Sequence, residues 1–225
     1  MKRLILKKLV IISQKNEEAR TIEFDDRLTV ITGDNPSGET KNRTGKSLVM
    51  KSIYYSLGAK LKKYTTNWDS LQISTIVTFL YDGIKYELYR DRNSFILRSD
   101  DEVKFFASIS ELKKFYVDFF EFYLKMPIKR DDENSVYAYP GAIFMPFYID
   151  QDKGWSGSWD SFSDVFTGKW KPEILLYHMG VRTREYYNLL DEKVELENEQ
   201  KENKRQLKTY EAVIKKHTEK YKDYL

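Results

Sequence analysis

One stretch of thirty residues constrains this chain more than any other: LTVITGDNPSGETKNRTGKSLVMKSIYYSL, residues 28–57. Its pattern predicts a short apolar strand over residues 28–32, a polar turn containing glycine, and an amphipathic helix opened by Gly45, Lys46 and Ser47. Strand, loop and helix in this order are typical of a phosphate-binding loop, because the first backbone N–H groups of a helix have no partner within it and can donate to phosphate oxygens. In such a loop the lysine places its charge at the outer phosphates and the serine hydroxyl binds Mg²⁺.

The spacing of this loop departs from the usual pattern G-x-x-x-x-G-K-[ST], which requires glycine where Thr40 stands. Gly33 ends the predicted strand, but it precedes Gly45 by twelve residues instead of five. We interpret the difference as a seven-residue insertion, so that residues 42–47 (NRTGKS) wrap the phosphates. The same letters also permit a second interpretation, an ordinary surface loop between a strand and a helix.

Composition excludes several classes of protein. The 225 residues include no cysteine, which excludes a disulfide framework, a thiolate zinc site and a cysteine nucleophile. No apolar run approaches the ~20 residues that a membrane helix needs, and the basic start MKRLILKKLVII lacks a signal-peptide cleavage site. We therefore expect a cytoplasmic protein that does not associate with membranes. The formal net charge of +3 does not by itself indicate nucleic-acid binding.

The hydrophobic pattern predicts a mixed α/β fold. Apolar or alternating segments predict strands over residues 4–12, 21–25, 28–32, 73–81, 84–90, 95–98 and 144–149. The strands from residue 73 to 98 form an antiparallel meander, with Asp82-Gly83 as a hairpin turn. Helical spacing predicts helices over residues 45–56, 109–125 and 171–179; Ser108 or Ser110 caps the second, and Gly58 and Gly180 end the first and third.

The composition changes at Arg182, since no glycine or proline follows and charged residues dominate. A seam of alternating three- and four-residue steps passes through Tyr186, Leu189, Lys193, Leu196, Gln200, Asn203, Leu207, Tyr210, Ile214, His217, Tyr221 and Tyr224. This spacing is typical of one strand of a coiled coil. Because a single helix cannot bury its own seam, the partner helix must come from a C-terminal half of the same protein or from another chain. We divide the chain into a head, residues 1–181, and the first strand of a coiled coil, residues 182–225.

The order of these features resembles the N-terminal half of the ATPase heads of the SMC, RecF, RecN and SbcC proteins, which are P-loop NTPases of the ABC type. The loop of those heads reads G-x-N-x-x-G-K-[ST], and it is matched here by Asn42, Gly45, Lys46 and Ser47 and, across the insertion, by Gly33. Their Q-loop glutamine corresponds to Gln151, which follows the apolar segment FMPFYID. The resemblance covers nearly the whole chain, but residues 34–41 have no counterpart.

This resemblance implies an ATPase that binds ATP and Mg²⁺. Its catalytic residues would be Lys46, which neutralises charge on the phosphates, and Gln151, which reaches the metal or the attacking water. Ser47 and Gln151 would be the metal ligands. The nucleotide-binding residues would be Gly33, Asn42, Arg43, Thr44, Gly45, Lys46, Ser47 and Leu48.

The resemblance also implies partners. Two heads, most simply from a homodimer, would enclose two nucleotides, and a C-terminal half would supply the signature motif, the Walker B Asp-Glu pair, the switch histidine and an antiparallel coiled-coil strand. DNA would lie on the basic residues Arg43, Lys60, Lys62 and Lys63. A nuclease or kleisin-like subunit and a role in DNA repair or antiviral defence would fit the same family.

The chain lacks those C-terminal motifs. Residues 155–158 (WSGS) look like a signature but follow Gln151 directly, and residues 117–121 (VDFFE) lie inside a predicted aromatic helix, so neither qualifies. We therefore interpret the chain as a fragment or a half-head. Two other functions stay open at this point: a self-contained P-loop kinase or nucleotide-binding enzyme, and a non-catalytic coiled-coil scaffold with a degenerate loop.

Overall fold

The computed structural model describes residues 2–32, 45–61, 71–127, 135–149, 159, 161–163 and 170–222. Its strands are β1 (Leu4–Ser13), β2 (Glu18–Glu23), β3 (Ile73–Tyr81), β4 (Ile84–Asp91), β5 (Ser94–Arg98), β6 (Val103–Phe106), β7 (Lys125–Pro127) and β8 (Ser135–Tyr137). Its helices are α1 (Lys46–Ser56), α2 (Ile109–Phe119), α3 (Pro140–Phe144), a 3₁₀ turn (Met145–Phe147), α4 (Trp170–His178) and α5 (Arg184–Tyr221).

Six strands form one antiparallel sheet in the order β2-β1-β3-β4-β5-β6. The predicted meander is confirmed, and β6 extends it by one strand that the sequence pattern did not indicate. Asp82 and Gly83 connect β3 to β4 with φ angles of 52° and 81°, as a two-residue hairpin turn requires. The connection from β2 to β3 carries α1, and these two strands lie on either side of β1 in the sheet order.

One face of the sheet carries the core. Leu9, Val77, Leu88 and Leu97 lie opposite one another on β1, β3, β4 and β5, and all four side chains are buried. Burial of these four side chains selects this register, because a slip of one residue would turn them away from the core. The helices α1 and α2 pack on this face. Ser108 begins α2, and its side chain accepts a hydrogen bond from the Glu111 N–H at 3.3 Å, which confirms Ser108 as the cap.

The strand predicted for residues 28–32 is absent. Asp25 instead accepts hydrogen bonds from the N–H groups of Arg27 and Leu28, at 2.9 Å and 3.4 Å, and forms a local turn. The segment after this turn is extended, but no described strand pairs with it, and Leu28 and Val30 are 75% and 71% exposed. A strand needs a hydrogen-bonding neighbour, and none of the described strands pairs with these residues. The apolar pattern therefore marks a surface segment in this chain.

Two other predicted elements differ from the structure. Residues 144–149 are not a strand, because α3 and the following 3₁₀ turn occupy residues 140–147, with Pro140 at the first helical position. The second predicted helix ends at Phe119 instead of residue 125, and Glu121 adopts a positive φ of 54° that breaks the helix. The chain then enters β7 and β8, which pair with each other, whereas the charged composition of residues 127–140 predicts a loop.

The helix α5 contains 38 residues, and its seam is open. Leu189, Leu196, Leu207, Tyr210 and Ile214 are between 56% and 64% exposed. Its base is fixed to the head by ion pairs from Lys125 to Asp191 and from Arg182 to Glu173. No helix among the described residues combines the length and the apolar character that a membrane span requires.

Candidate nucleotide-binding site

The joint between the loop and α1 is built as a phosphate site requires. Gly45 caps α1 with φ 78°, a left-handed conformation that favours glycine, and its carbonyl accepts the first helical hydrogen bond from the Val49 N–H at 3.1 Å. Gly45 has no side chain with which to cap the helix, and the first turn contains no acidic residue. The N-terminal end of a helix carries a partial positive charge and favours an anion.

A cavity of about 350 Å³ lies at this joint. Three segments that are distant in sequence line it: Thr29 and Ile31, then Lys46, Ser47 and Met50, and finally Tyr148 and Ile149. The cavity is within the size range of small-molecule sites. Lys46 and Ser47 supply an ammonium group and a hydroxyl, the donor set that a nucleotide phosphate and its Mg²⁺ require.

The segment of residues 144–149 is held against α1 by Tyr54. Its hydroxyl donates to the Phe147 carbonyl at 3.2 Å, and its ring lies 4.6 Å from the Tyr148 ring. The Ser161 hydroxyl donates to the Tyr148 carbonyl at 3.3 Å. Burial raises the pKa of Tyr54 to about 12, so the phenol stays protonated and continues to donate. Lys46, Met50 and Tyr54 are spaced four residues apart and therefore lie along one face of α1. This face borders the cavity, so the cavity lies between α1 and the segment of residues 144–149.

Arg90 fixes the other end of α1. It is only 7% exposed, and its guanidinium donates to the carbonyls of Tyr55, Ala59 and Arg92. It also lies 3.6 Å from the centroid of the Tyr55 ring. A cation at the C-terminus of a helix is stabilised by the dipole. Arg90 is not among the residues predicted from the sequence, because its partners are backbone carbonyls, which leave no side-chain motif in the sequence.

The predicted site residues are only partly within the described structure. Lys46 and Ser47 line the cavity, Gly45 caps α1, and Leu48 is half-buried beside the core. Predicted residues outside the described ranges are Gly33, Asn42, Arg43, Thr44, Gln151, Lys62 and Lys63. Ile149, two residues before Gln151, does line the cavity. The described residues contain no cluster of three or more histidine, cysteine or carboxylate side chains that could hold a metal ion.

Comparison with known proteins identifies the family. The model of a family described as AAA domain matches residues 3–225. This chain belongs to the AAA domain family. It is 29% identical over 202 residues to the Lamassu protein LmuB of Bacillus cereus (strain VD014), covering 88% of this chain and 34% of that protein. It is 32% identical over 148 residues to the Lamassu protein LmuB of Bacillus sp. (strain NCIM 5461 / CCTCC AB 2011126 / NIO-1130), covering 65% of this chain and 24% of that protein.

These matches confirm the resemblance to the SMC- and RecF-type ATPase heads. The mixed α/β fold with an antiparallel sheet and a long C-terminal helix agrees with the predicted P-loop head and the start of its coiled coil. The AAA domain family binds nucleotides, which makes an ATPase role the general expectation for this chain. The chain spans about a third of the length of the first curated relative that it matches.

Proposed function

We propose that this chain is the ATP-binding, N-terminal part of an SMC-like ATPase head. The observation that supports this most directly is the cavity where Lys46 and Ser47 meet Tyr148 and Ile149. The sequence motif alone predicts only that Lys46 and Ser47 lie at the start of a helix. The fold adds the segment that leads into Gln151, although 102 residues separate Lys46 from Tyr148. A surface loop without function would not require this convergence.

In the proposed site each residue has one task. Backbone N–H groups at the start of α1 donate to the phosphates, and Lys46 neutralises the negative charge of the outer phosphates. Ser47 would hold Mg²⁺ through its hydroxyl, and the ion, when bound, would supply charge stabilisation to the phosphates. Gln151 orients the metal or the attacking water, as its family position implies.

The site is proposed to be composite. Ile149 lines the cavity, and Leu28, Val30 and Phe147 are next in sequence to residues that line it. All four side chains are at least 71% exposed, and exposed apolar side chains grouped in this way mark contact surfaces. We assign them to the C-terminal half of the head, which would add strands beside residues 28–32 and supply the Walker B carboxylates. A second head would then close over the nucleotide.

The wider role is proposed from similarity. The chain matches Lamassu LmuB proteins, which are SMC-like proteins of bacterial defence, and we propose a defence role for the whole protein. This proposal also includes DNA binding through Lys60 and its basic neighbours, a nuclease or kleisin-like partner subunit, and a cytoplasmic location, where ATP is available. Because Lys60 is exposed at the end of the α1 connection, it is placed to contact a ligand outside the head.

Equilibrium binding of a fluorescent ATP analogue with Mg²⁺ tests the proposal. Lys46→Ala removes a charge-assisted contact of about 1.5–3 kcal/mol, which weakens binding roughly 10- to 150-fold. The matched control is Lys85→Ala, since Lys85 is an exposed lysine on β4. Equal affinity of wild type and Lys46→Ala would refute the phosphate site. Absence of any binding would support the scaffold interpretation, and turnover by this chain alone would support a kinase-type enzyme.

A further inference from the structure

The segment of residues 144–149 forms one side of the cavity at the start of α1. Tyr148 and Ile149, its last two residues, line the cavity. No described strand pairs with the segment, and most of it consists of the end of α3 and the 3₁₀ turn at Met145–Phe147. Its position therefore depends on contacts with side chains of other elements.

Tyr54 on α1 provides the contact that fixes the backbone of this segment. Its hydroxyl donates a hydrogen bond to the Phe147 carbonyl at 3.2 Å, directly before the cavity-lining Tyr148. Its ring lies 4.6 Å from the Tyr148 ring, and the rings of Phe144 and Phe162 lie 5.8 Å and 5.7 Å away. Ring packing at these distances tolerates several orientations, whereas the hydrogen bond requires the carbonyl at one distance and angle. The hydroxyl therefore determines where the segment lies relative to α1.

The same helix carries the groups that the phosphates require. Lys46 and Ser47 lie in its first turn, and Tyr54 lies about two turns later, roughly 12 Å along the axis at 1.5 Å per residue. One helix thus supplies the ammonium and hydroxyl groups of the cavity and also holds the segment that lines it from elsewhere in the chain. In the proposed function Lys46 meets the outer phosphates, so the segment shares a cavity with the part of the ligand that distinguishes a nucleoside triphosphate from a diphosphate.

We propose that the Tyr54 hydroxyl is a positioning group for the outer phosphate of a nucleoside triphosphate. This inference rests on the ATP site proposed above. The hydroxyl acts through the Phe147 carbonyl and does not contact the ligand. It holds Tyr148 and Ile149 at the spacing from Lys46 that a third phosphate requires. A diphosphate does not occupy this end of the cavity, so its affinity does not depend on the hydroxyl.

Two tyrosine-to-phenylalanine variants test this role. Tyr54→Phe removes the hydroxyl and keeps the ring. Tyr116→Phe is the matched control, because the Tyr116 hydroxyl also donates to a backbone carbonyl, that of Leu57, at 3.2 Å, and Tyr116 is not among the described residues that line the cavity. Equilibrium binding is measured with Mg²⁺ and either a fluorescent non-hydrolysable ATP analogue or the corresponding ADP derivative. Tyr54→Phe should raise the Kd of the triphosphate roughly fivefold and that of the diphosphate less than about twofold, and Tyr116→Phe should change neither.

Amide hydrogen exchange tests whether the hydroxyl acts through the segment. The peptide that spans residues 144–149 should exchange faster in Tyr54→Phe than in wild type, because local opening requires less free energy when a contact that holds the segment is lost. Tyr116→Phe should leave this exchange unchanged. If exchange in Tyr54→Phe equals that of wild type, the hydroxyl does not hold the segment and the proposal is overturned.

The binding results separate this proposal from the ATP site itself. If Lys46→Ala weakens binding but Tyr54→Phe binds both nucleotides like wild type, the ATP site stands and the positioning role is wrong. Equal losses of affinity for triphosphate and diphosphate would also overturn the proposal, because the hydroxyl would then support the whole site and not the outer phosphate. If wild type does not bind the triphosphate, or Lys46→Ala binds it equally well, the ATP site is refuted and this inference falls with it.

Discussion

Arg90 offers the sharpest test of how the sheet holds the phosphate-loop helix. We predict that Arg90→Met destabilises the chain although it removes a charge from the core. The guanidinium donates to three carbonyls, those of Tyr55, Ala59 and Arg92, and it stacks on Tyr55. Methionine fills similar apolar space but leaves the helix C-terminus without these donors.

The size of the effect follows from these contacts. Hydrogen bonds from a charged donor contribute about 1.5–3 kcal/mol each, and a desolvated cation–π contact contributes about 2 kcal/mol. Desolvation of the guanidinium offsets much of this sum, so we expect a net loss of about 3 kcal/mol. Arg90→Lys keeps the charge but loses the planar fork, which should cost about half as much.

Urea unfolding followed by circular dichroism measures the loss. With a denaturant slope of about 3 kcal/mol per molar, Arg90→Met should lower the midpoint by about 1 M. The control is Arg98→Met, because Arg98 is an exposed arginine on β5; its free energy of unfolding should change by less than about 0.5 kcal/mol. If the two variants unfold at the same urea concentration, the contacts of Arg90 do not anchor α1 and the reasoning fails.

Two further predictions concern the elements around the site. Gly58 has φ 93°, and a Cβ there would lie 2.9 Å from Leu112 Cδ2, so Gly58→Ala should cost about 2–4 kcal/mol of folding stability through backbone strain and overpacking. The control is Gly83→Ala, which has φ 81° and open space around the added Cβ and should lose only about 1 kcal/mol in the same urea assay. Equal losses in the two variants would exclude the packing component. Burial lowers the pKa of His178, and this effect outweighs a hydrogen bond to the Ala142 carbonyl that raises it. The folded state therefore binds fewer protons than the unfolded state, and stability should fall as pH drops below about 6.5. His178→Gln should reduce the dependence of the melting temperature on pH between pH 7 and 5, and an unchanged dependence would contradict this role of His178.

Local chemistry explains which elements were predictable. Asp82-Gly83, Gly58 and Ser108 act through φ angles or caps within a few residues, so the sequence alone locates the hairpin, the end of α1 and the start of α2. The meander is predictable because alternating apolar residues define one face regardless of what covers it.

The remaining features depend on distant partners. Residues 28–32 have the composition of a strand, but no described strand lies beside them, and composition cannot report a missing neighbour. In the sequence, Arg90 looks like an ordinary exposed charge on an alternating strand. Its burial results from the C-terminal end of α1, which lies over it in the fold. The cavity at Lys46 likewise needs Tyr148, whose position depends on Tyr54 and Ser161.

The insertion of α1 between β2 and β3 has a consequence for the evolution of the phosphate loop. The β1–β3 pairing closes a connection of 49 residues, numbers 24 to 72. Because loop-closure entropy grows only with the logarithm of length, lengthening that connection by seven residues costs about 0.1 kcal/mol. The register of the sheet is set by side chains outside the connection and does not depend on its length. The loop before Gly45 therefore lengthens with almost no loss of folding stability. Selection on ligand binding at the site, and not on stability, then determines the length of the loop.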